Sequence, residues 1–237
     1  MPRRLCETIV CLLVALIGVG TWLISPFAVV SGSMSPTLLG PHCEFTCEHC
    51  GTRNFRPLEA ELPLDGRLSC RGCERTGPRA AELPVTPGDR LLVDRTAFAV
   101  RSPRRWEVAA LRLPHEPSKI AVKRIVGLPG ETVSLSGGEL YIDGRREPRP
   151  AELAHLTLEK PRVPEPPTQW KLGGDEYFVL GDFPAVSDDS RLWQAGPGVA
   201  AQLLIGKPLI VHYPYRTLLW YGRPVHVPDV SSIRYIR

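Results

Sequence analysis

Lysine and methionine are scarce in this chain. Of its 29 basic residues only five are lysine, at positions 119, 123, 160, 171 and 207, and Met34 alone follows the initiator methionine. Genomic base composition accounts for such a bias without any function. A surviving lysine nonetheless supplies an amine that can lose its proton when buried, which a guanidinium cannot. Blocks of like charge are also missing. The net charge is only +4, and no basic run is interleaved with aromatics, which excludes nucleic acid as a partner. No helical period recurs beyond the first 26 residues, and 25 prolines speak against a helical bundle. No G-x-S-x-G triad signature is present, so His42, His49, His115, His155, His212 and His226 read as ordinary surface or core residues.

Charge is absent between Glu7 and Glu44, and Ile9 to Val30 is apolar except for Thr21, Ser25 and Pro26. About 20 such residues span a bilayer as a helix. Pro26 predicts a helix end near Ile24, because the residue before proline avoids helix. Arg3 and Arg4 before the run favour a cytoplasmic N-terminus. A cleaved signal peptide is the competing reading, but the run is long for one and no small-x-small site follows cleanly. The expectation is a single-pass protein whose remaining chain is extracytoplasmic.

Downstream the composition changes several times. Residues 1–26 read as a cytoplasmic tip and transmembrane helix, and 27–42 as a segment that begins apolar and becomes Ser/Gly/Pro-rich. Residues 43–83 form a small cysteine-rich insert, 84–144 a core segment, 145–171 a variable Pro-rich excursion and 172–237 a second core segment. Strands are expected after the Pro87-Gly88-Asp89 turn, through Ile120–Gly127, in a hairpin turning at Asp143-Gly144, in Glu176–Asp182, and in one or two segments from Leu203. The fold class is mainly β.

The insert carries Cys47-x2-Cys50 and Cys70-x2-Cys73, each pair followed or interrupted by glycine. That spacing resembles a zinc ribbon, in which four thiolates close a tetrahedron around the metal. Two disulfides in an oxidising compartment, or a redox-active pair, remain open readings. Cys43 is a spare ligand candidate. Cys6, Cys11 and His49 read as bystanders.

Ser33 lies just past the apolar run, in Ser31-Gly32-Ser33-Met34. A serine hydroxyl attacks only when a base takes its proton. With histidine unsupported, lysine is the alternative, provided that burial lowers its pKa toward neutrality. Lys123 sits in an apolar strand-like stretch, IAVKRIVG, with Arg124 facing the other way. Composition alone favours a solvated strand lysine there.

Four motifs in order change that balance. They are Ser31-Gly32-Ser33-Met34-Ser35-Pro36-Thr37-Leu38, Gly88-Asp89 before Leu91-Leu92-Val93, Lys123-Arg124-Ile125-Val126-Gly127-Leu128-Pro129-Gly130-Glu131, and Gly181-Asp182-Phe183 through Ser187-Asp188-Asp189-Ser190-Arg191. Together they resemble the boxes of the type I signal peptidases, membrane-bound Ser-Lys proteases. The resemblance implies a signal-peptidase-like all-β catalytic body with Ser33 as nucleophile and Lys123 as base. It implies that Ser31 helps form the oxyanion hole, that Ser187 bonds the lysine amine, and that Asp189 and Arg191 pair. Phe183 departs from the family, which usually has Asn there, so weaker hydrogen bonding is expected in that loop. The implied substrates are preprotein signal peptides cut after Ala-x-Ala, with Phe27–Val30 helping to form their groove. Catalysis of this kind needs no cofactor, and zinc is expected only as a structural ion in the insert. The implied location is the bacterial cell membrane, in contact with lipid, while secretion-machinery contacts are not specified. A narrow-specificity processing peptidase, and an inactive membrane-tethered zinc-ribbon adaptor, are the alternatives.

Overall fold

The computed structural model describes residues 2–156, 158, 169–193 and 196–236, without the side chains of residues 2–5, 15, 16, 19 and 21. Part of the Pro-rich excursion, including Lys160, lies outside the described residues.

A 22-residue helix, Pro2–Leu23, opens the chain. It stops just before Ile24, where the proline rule placed its end. Pro26 then sits inside a strand, Ile24–Ala28. That is tolerable because, among the described residues, this strand pairs only with Arg90–Asp94 and forms an edge of its sheet, where proline is accommodated. Among the described residues no helix is long and apolar enough to cross a membrane. The fold therefore leaves the expected span unestablished.

The body is antiparallel β. From the edge strand Ile24–Ala28 the main sheet runs through Arg90–Asp94, Leu204–Val211, Val108–Leu113, Glu116–Gly127 and Glu176–Leu180 to Val199–Ala200. A four-stranded sheet is built from Arg145–Arg146, Glu139–Ile142, Thr132–Ser136 and Gln169–Lys171. The expected hairpin turn at Asp143-Gly144 is present, with both residues at positive φ, as a two-residue turn of this kind requires.

The strand Glu116–Gly127 has two characters. Its first half is largely exposed and its second half buried. Among the described residues Glu176–Leu180 pairs only with residues 124–127 of it, and no other strand takes the second edge of the stretch 116–122. Val126, Phe178 and Leu180 join Val133, Leu140 and Leu172 in a core against the four-stranded sheet. A second core holds Leu91, Val93, Val108, Ala110 and Val211, together with Met34 and Leu38. The scarce Met34 is thus a core anchor, only 1% exposed.

The segment from His42 to Thr86 makes its own small sheets. His42–Thr46 pairs on one side with Arg53–Pro57 and on the other with Val85–Thr86. Arg67–Ser69 pairs with Thr76–Arg79. Gly88, just beyond, is packed so closely that an added Cβ would lie 2.0 Å from the Val29 carbonyl oxygen. A Gly88→Ala variant should lose about 1–3 kcal/mol of stability through this overpacking, read as a fall in Tm. An unchanged Tm would show that the two segments part freely.

Candidate active site

The Ser31–Gly40 loop is fixed at several points. Met34 and Leu38 plug into the core, and Gly32–Met34 forms a single 3-10 turn. Asp89 ties the far end: its carboxylate accepts the Leu39 N–H at 2.9 Å, and its own N–H donates to the Leu39 carbonyl at 2.8 Å. Arg234 holds the same carboxylate at 2.6 Å. The Asp89 carbonyl in turn accepts the Val29 N–H at 2.9 Å, so one residue clamps both ends of the loop. Gly40 packs against the Ser31 carbonyl, 2.4 Å from where its Cβ would stand. Within the loop Ser33 is 7% exposed, and its Oγ lies 3.3 Å from that of Ser31.

The Gly181–Arg191 segment closes over this loop. The Phe183 N–H donates to the Ser33 carbonyl at 2.9 Å. This contact between the two boxes runs through main chain, and the side chain at 183 is not needed for it. Gly181 has no room for a Cβ, which would sit 2.2 Å from Ser187 Oγ and 2.5 Å from the Ser33 carbonyl.

Lys123 lies in the buried half of its strand, 3% exposed, and donates to Ser187 Oγ at 2.9 Å. Burial pushes its amine down to about 8, against the pull of the Asp189 and Asp188 carboxylates. Ser187 also hydrogen-bonds the Asp189 carboxylate. Burial alone would raise the Asp189 carboxyl, but the Arg191 guanidinium and the Gly181 N–H hold it below the usual range. Arg191 grips Asp189 through two contacts, of 2.8 and 2.6 Å. Ser31, Ser33 and Lys123 open onto one cleft of about 450 Å³, walled by Ala28–Val30 on one side and Ile120–Val122 on the other. Among the described residues lining it there is no histidine. His42 is buried against the Gly40 carbonyl, and His115 stands on the surface, 3.4 Å from Asp188.

Residues 79–213, more than half of the chain, match the family described as signal peptidase, peptidase S26. The chain belongs to the S26 signal peptidase family. It is 31% identical over 160 residues to signal peptidase I of Leptolyngbya laminosa, an alignment covering 62% of this chain and 71% of that one. With signal peptidase I of Pseudomonas fluorescens it shares 26% identity over 243 residues, covering 92% and 73%. A signal peptidase I from Enterococcus faecalis V583 aligns structurally with a TM-score of 0.37 at 28% identity, over 45% of this chain and 97% of that chain. Family membership and the signal peptidase I sequence relatives make the chain a peptide-bond hydrolase.

Within this signal peptidase, Lys123, Ser187, Asp189 and Arg191 fall inside the matched segment and Ser33 precedes it. The four cysteines also precede it. Their sulfur atoms all lie within 4.8 Å of one another, with Cys47 and Cys73 at 3.7 Å and Cys50 and Cys70 at 3.5 Å. The two Cys-x2-Cys turns are built alike. Cys47 N–H donates to the Thr52 carbonyl and Cys70 N–H to the Arg75 carbonyl. Gly51 N–H returns to the Cys47 carbonyl and Glu74 N–H to the Cys70 carbonyl. None of the seven cysteines is joined in a disulfide, and Cys43 is buried apart from the cluster.

Sequence reasoning missed a second buried ion pair. Arg124 does face away from Lys123, but that face is interior rather than solvent. Its guanidinium meets the Asp182 carboxylate at 2.8 and 2.7 Å, with both side chains at most 2% exposed. It also donates to the Trp106 carbonyl at 2.7 Å, and the Thr37 hydroxyl donates to Asp182. The pair stitches three of the four boxes together. No local signal announced it: Arg124 directly follows Lys123 in its strand, and Asp182 stands 58 residues further on. Removing one partner of such a pair leaves a buried charge uncompensated. Arg124→Met should therefore cost about 3–5 kcal/mol by denaturant unfolding, whereas the exposed Arg146→Met should change stability by no more than about 1 kcal/mol. Equal effects would mean that the interior pair is as solvated as the surface one.

Proposed function

We propose that this signal peptidase removes signal peptides from preproteins with a Ser33–Lys123 dyad. Family membership carries the activity, and the supporting observation for the dyad is a lysine amine kept near neutrality at the wall of the cleft onto which Ser33 opens. Neutral Lys123 takes the Ser33 proton, and Ser33 attacks the scissile carbonyl. The Ser33 N–H and the Ser31 hydroxyl hold the resulting oxyanion. The protonated lysine then gives its proton to the leaving amine, and water releases the acyl group by the same route. Ser187 orients the amine, while the Asp189–Arg191 pair keeps the neighbouring carboxylate occupied.

The cleft suits an extended peptide. Residues 116–122 offer an open strand edge, and a peptide laid along it would gain main-chain hydrogen bonds. Small side chains such as Ala28 and Ala121 on the walls fit a preference for small residues, the Ala-x-Ala pattern of the family resemblance. The N-terminal helix is read as a single-pass anchor with the body outside the cytoplasm. Ile9, Val10, Leu12, Leu13, Val14, Ile17 and Trp22 are exposed on it, and lipid would cover them.

The cysteine cluster is read as a structural zinc site. Sulfurs about 2.3 Å from a tetrahedral zinc lie about 3.8 Å from one another, close to the 3.5 and 3.7 Å separations here. A disulfide would bring them to about 2.05 Å. Metal analysis of purified protein should find one zinc per chain. No zinc together with no titratable thiols would replace this reading by the disulfide one.

A preprotein with an Ala-x-Ala site should be cut after its second alanine, and both Ser33→Ala and Lys123→Ala should abolish the cut. The active form is the deprotonated lysine, so kcat/KM should rise about tenfold per pH unit below pH 7 and level off above about 8. A rate that is flat from pH 6 to 9, or cleavage that survives Lys123→Ala, would remove lysine from the base role.

A further inference from the structure

The cysteine module stands directly on the nucleophile loop. Arg53–Pro57 ends at Pro57, where the chain turns, with Ala60 N–H donating to the Pro57 carbonyl and Leu58 N–H to the Pro41 carbonyl. A Cβ on Gly32 would lie 2.1 Å from Pro57 Cβ and 3.2 Å from Glu59 Oε2. Glu59 Oε2 accepts the Gly32 N–H at 3.3 Å. Gly32 is the residue between Ser31 and Ser33, so this corner touches the main chain that sets both groups proposed for the oxyanion.

The other end of the same strand is tied to the sulfurs. Asn54, 3% exposed, donates to Cys70 Sγ at 3.6 Å and to the Thr52 carbonyl at 2.8 Å, and accepts the Arg71 N–H at 2.8 Å. Gly72 N–H also donates to Cys70 Sγ, at 3.3 Å. A module with so few large buried residues depends on its metal for a fixed shape. From Cys70 to Pro57 there is one short strand and no flexible linker.

We propose that the inserted module is a positioning element of the protease: Pro57 and Glu59 hold Gly32 so that Ser33 N–H and Ser31 Oγ converge, and a bound zinc keeps that corner in place. The proposal rests on the dyad reading above. It assigns Glu59 a role in turnover through Gly32 rather than in contact with substrate. Held groups of this kind act on the transition state more than on substrate binding, so the effect belongs in kcat.

The test compares full-length wild type, Glu59→Ala and Glu59→Gln on the same preprotein, with Tm and zinc content measured for each. Glu59→Ala should lower kcat at least tenfold with KM within twofold. Glu59→Gln, which retains an acceptor oxygen, should stay within threefold of wild type. Stripping zinc from wild type with a chelator should reproduce the kcat loss, and added zinc should reverse it. Full kcat in Glu59→Ala, equal losses in Ala and Gln, a loss accompanied by missing zinc or a collapsed Tm, or full activity in verified zinc-free protein would each overturn the proposal. A Ser33→Ala control that still cleaves would instead bring down the dyad reading, and that outcome is separate from the Glu59 ratios.

Discussion

A buried amine beside a carboxylate ordinarily stays charged and pairs with it. Lys123 does not pair with Asp189, because that carboxylate is already taken, and its amine is lowered to about 8. Arg191 occupies the carboxylate in a two-point contact with both side chains at most 1% exposed, and Gly181 N–H adds a third bond. The amine meets a hydroxyl instead, Ser187, and desolvation becomes its largest perturbation. The site's electrostatics follow from this arrangement: one ion pair is satisfied internally so that the neighbouring cation can be given up. A lone Asp189 would pull Lys123 back toward its charged form.

The same economy governs the geometry. The Ser31–Gly40 loop has little regular structure of its own, yet its backbone is fastened by Asp89, by Phe183 N–H and by the Pro57–Glu59 corner. Close-packed glycines at 32, 40, 88 and 181 mark the places where main chain meets its neighbour without room for a Cβ. Such a loop is placed by its surroundings, and the 3-10 turn that carries Ser33 is a consequence of them.

What the sequence disclosed, and what it withheld, divides along contact range. Strands with an alternating or continuous apolar pattern, the Asp143-Gly144 turn and the helix end near Ile24 are local matters, and they read correctly from neighbouring residues. The boxes were readable because each packs its chemistry into a few consecutive positions. Arg124 with Asp182, and Glu59 with Gly32, join positions 58 and 27 residues apart, and no pattern within either partner's segment announces the other. The contact of Phe183 with the Ser33 loop was hidden for a related reason: it runs through the backbone, where residue identity leaves no trace.

On the Ser33 reading proposed above, the path from helix to cleft constrains where cleavage would occur. Leu23 ends the helix and Ile24–Ala28 begins at once as a strand, whose continuation, Ala28–Val30, forms one wall of the cleft. Five extended residues reach about 17 Å. Asp94 pairs with Ile24 and Arg90 with Ala28, so this stretch is a rung of the main sheet and cannot stretch or swing. If the helix is held by lipid, the Ser33 hydroxyl is held at a fixed and short height above it. A peptide bond just outside the bilayer would then come within reach because both substrate and enzyme are tethered to the same surface, which raises their effective concentration without any further contact.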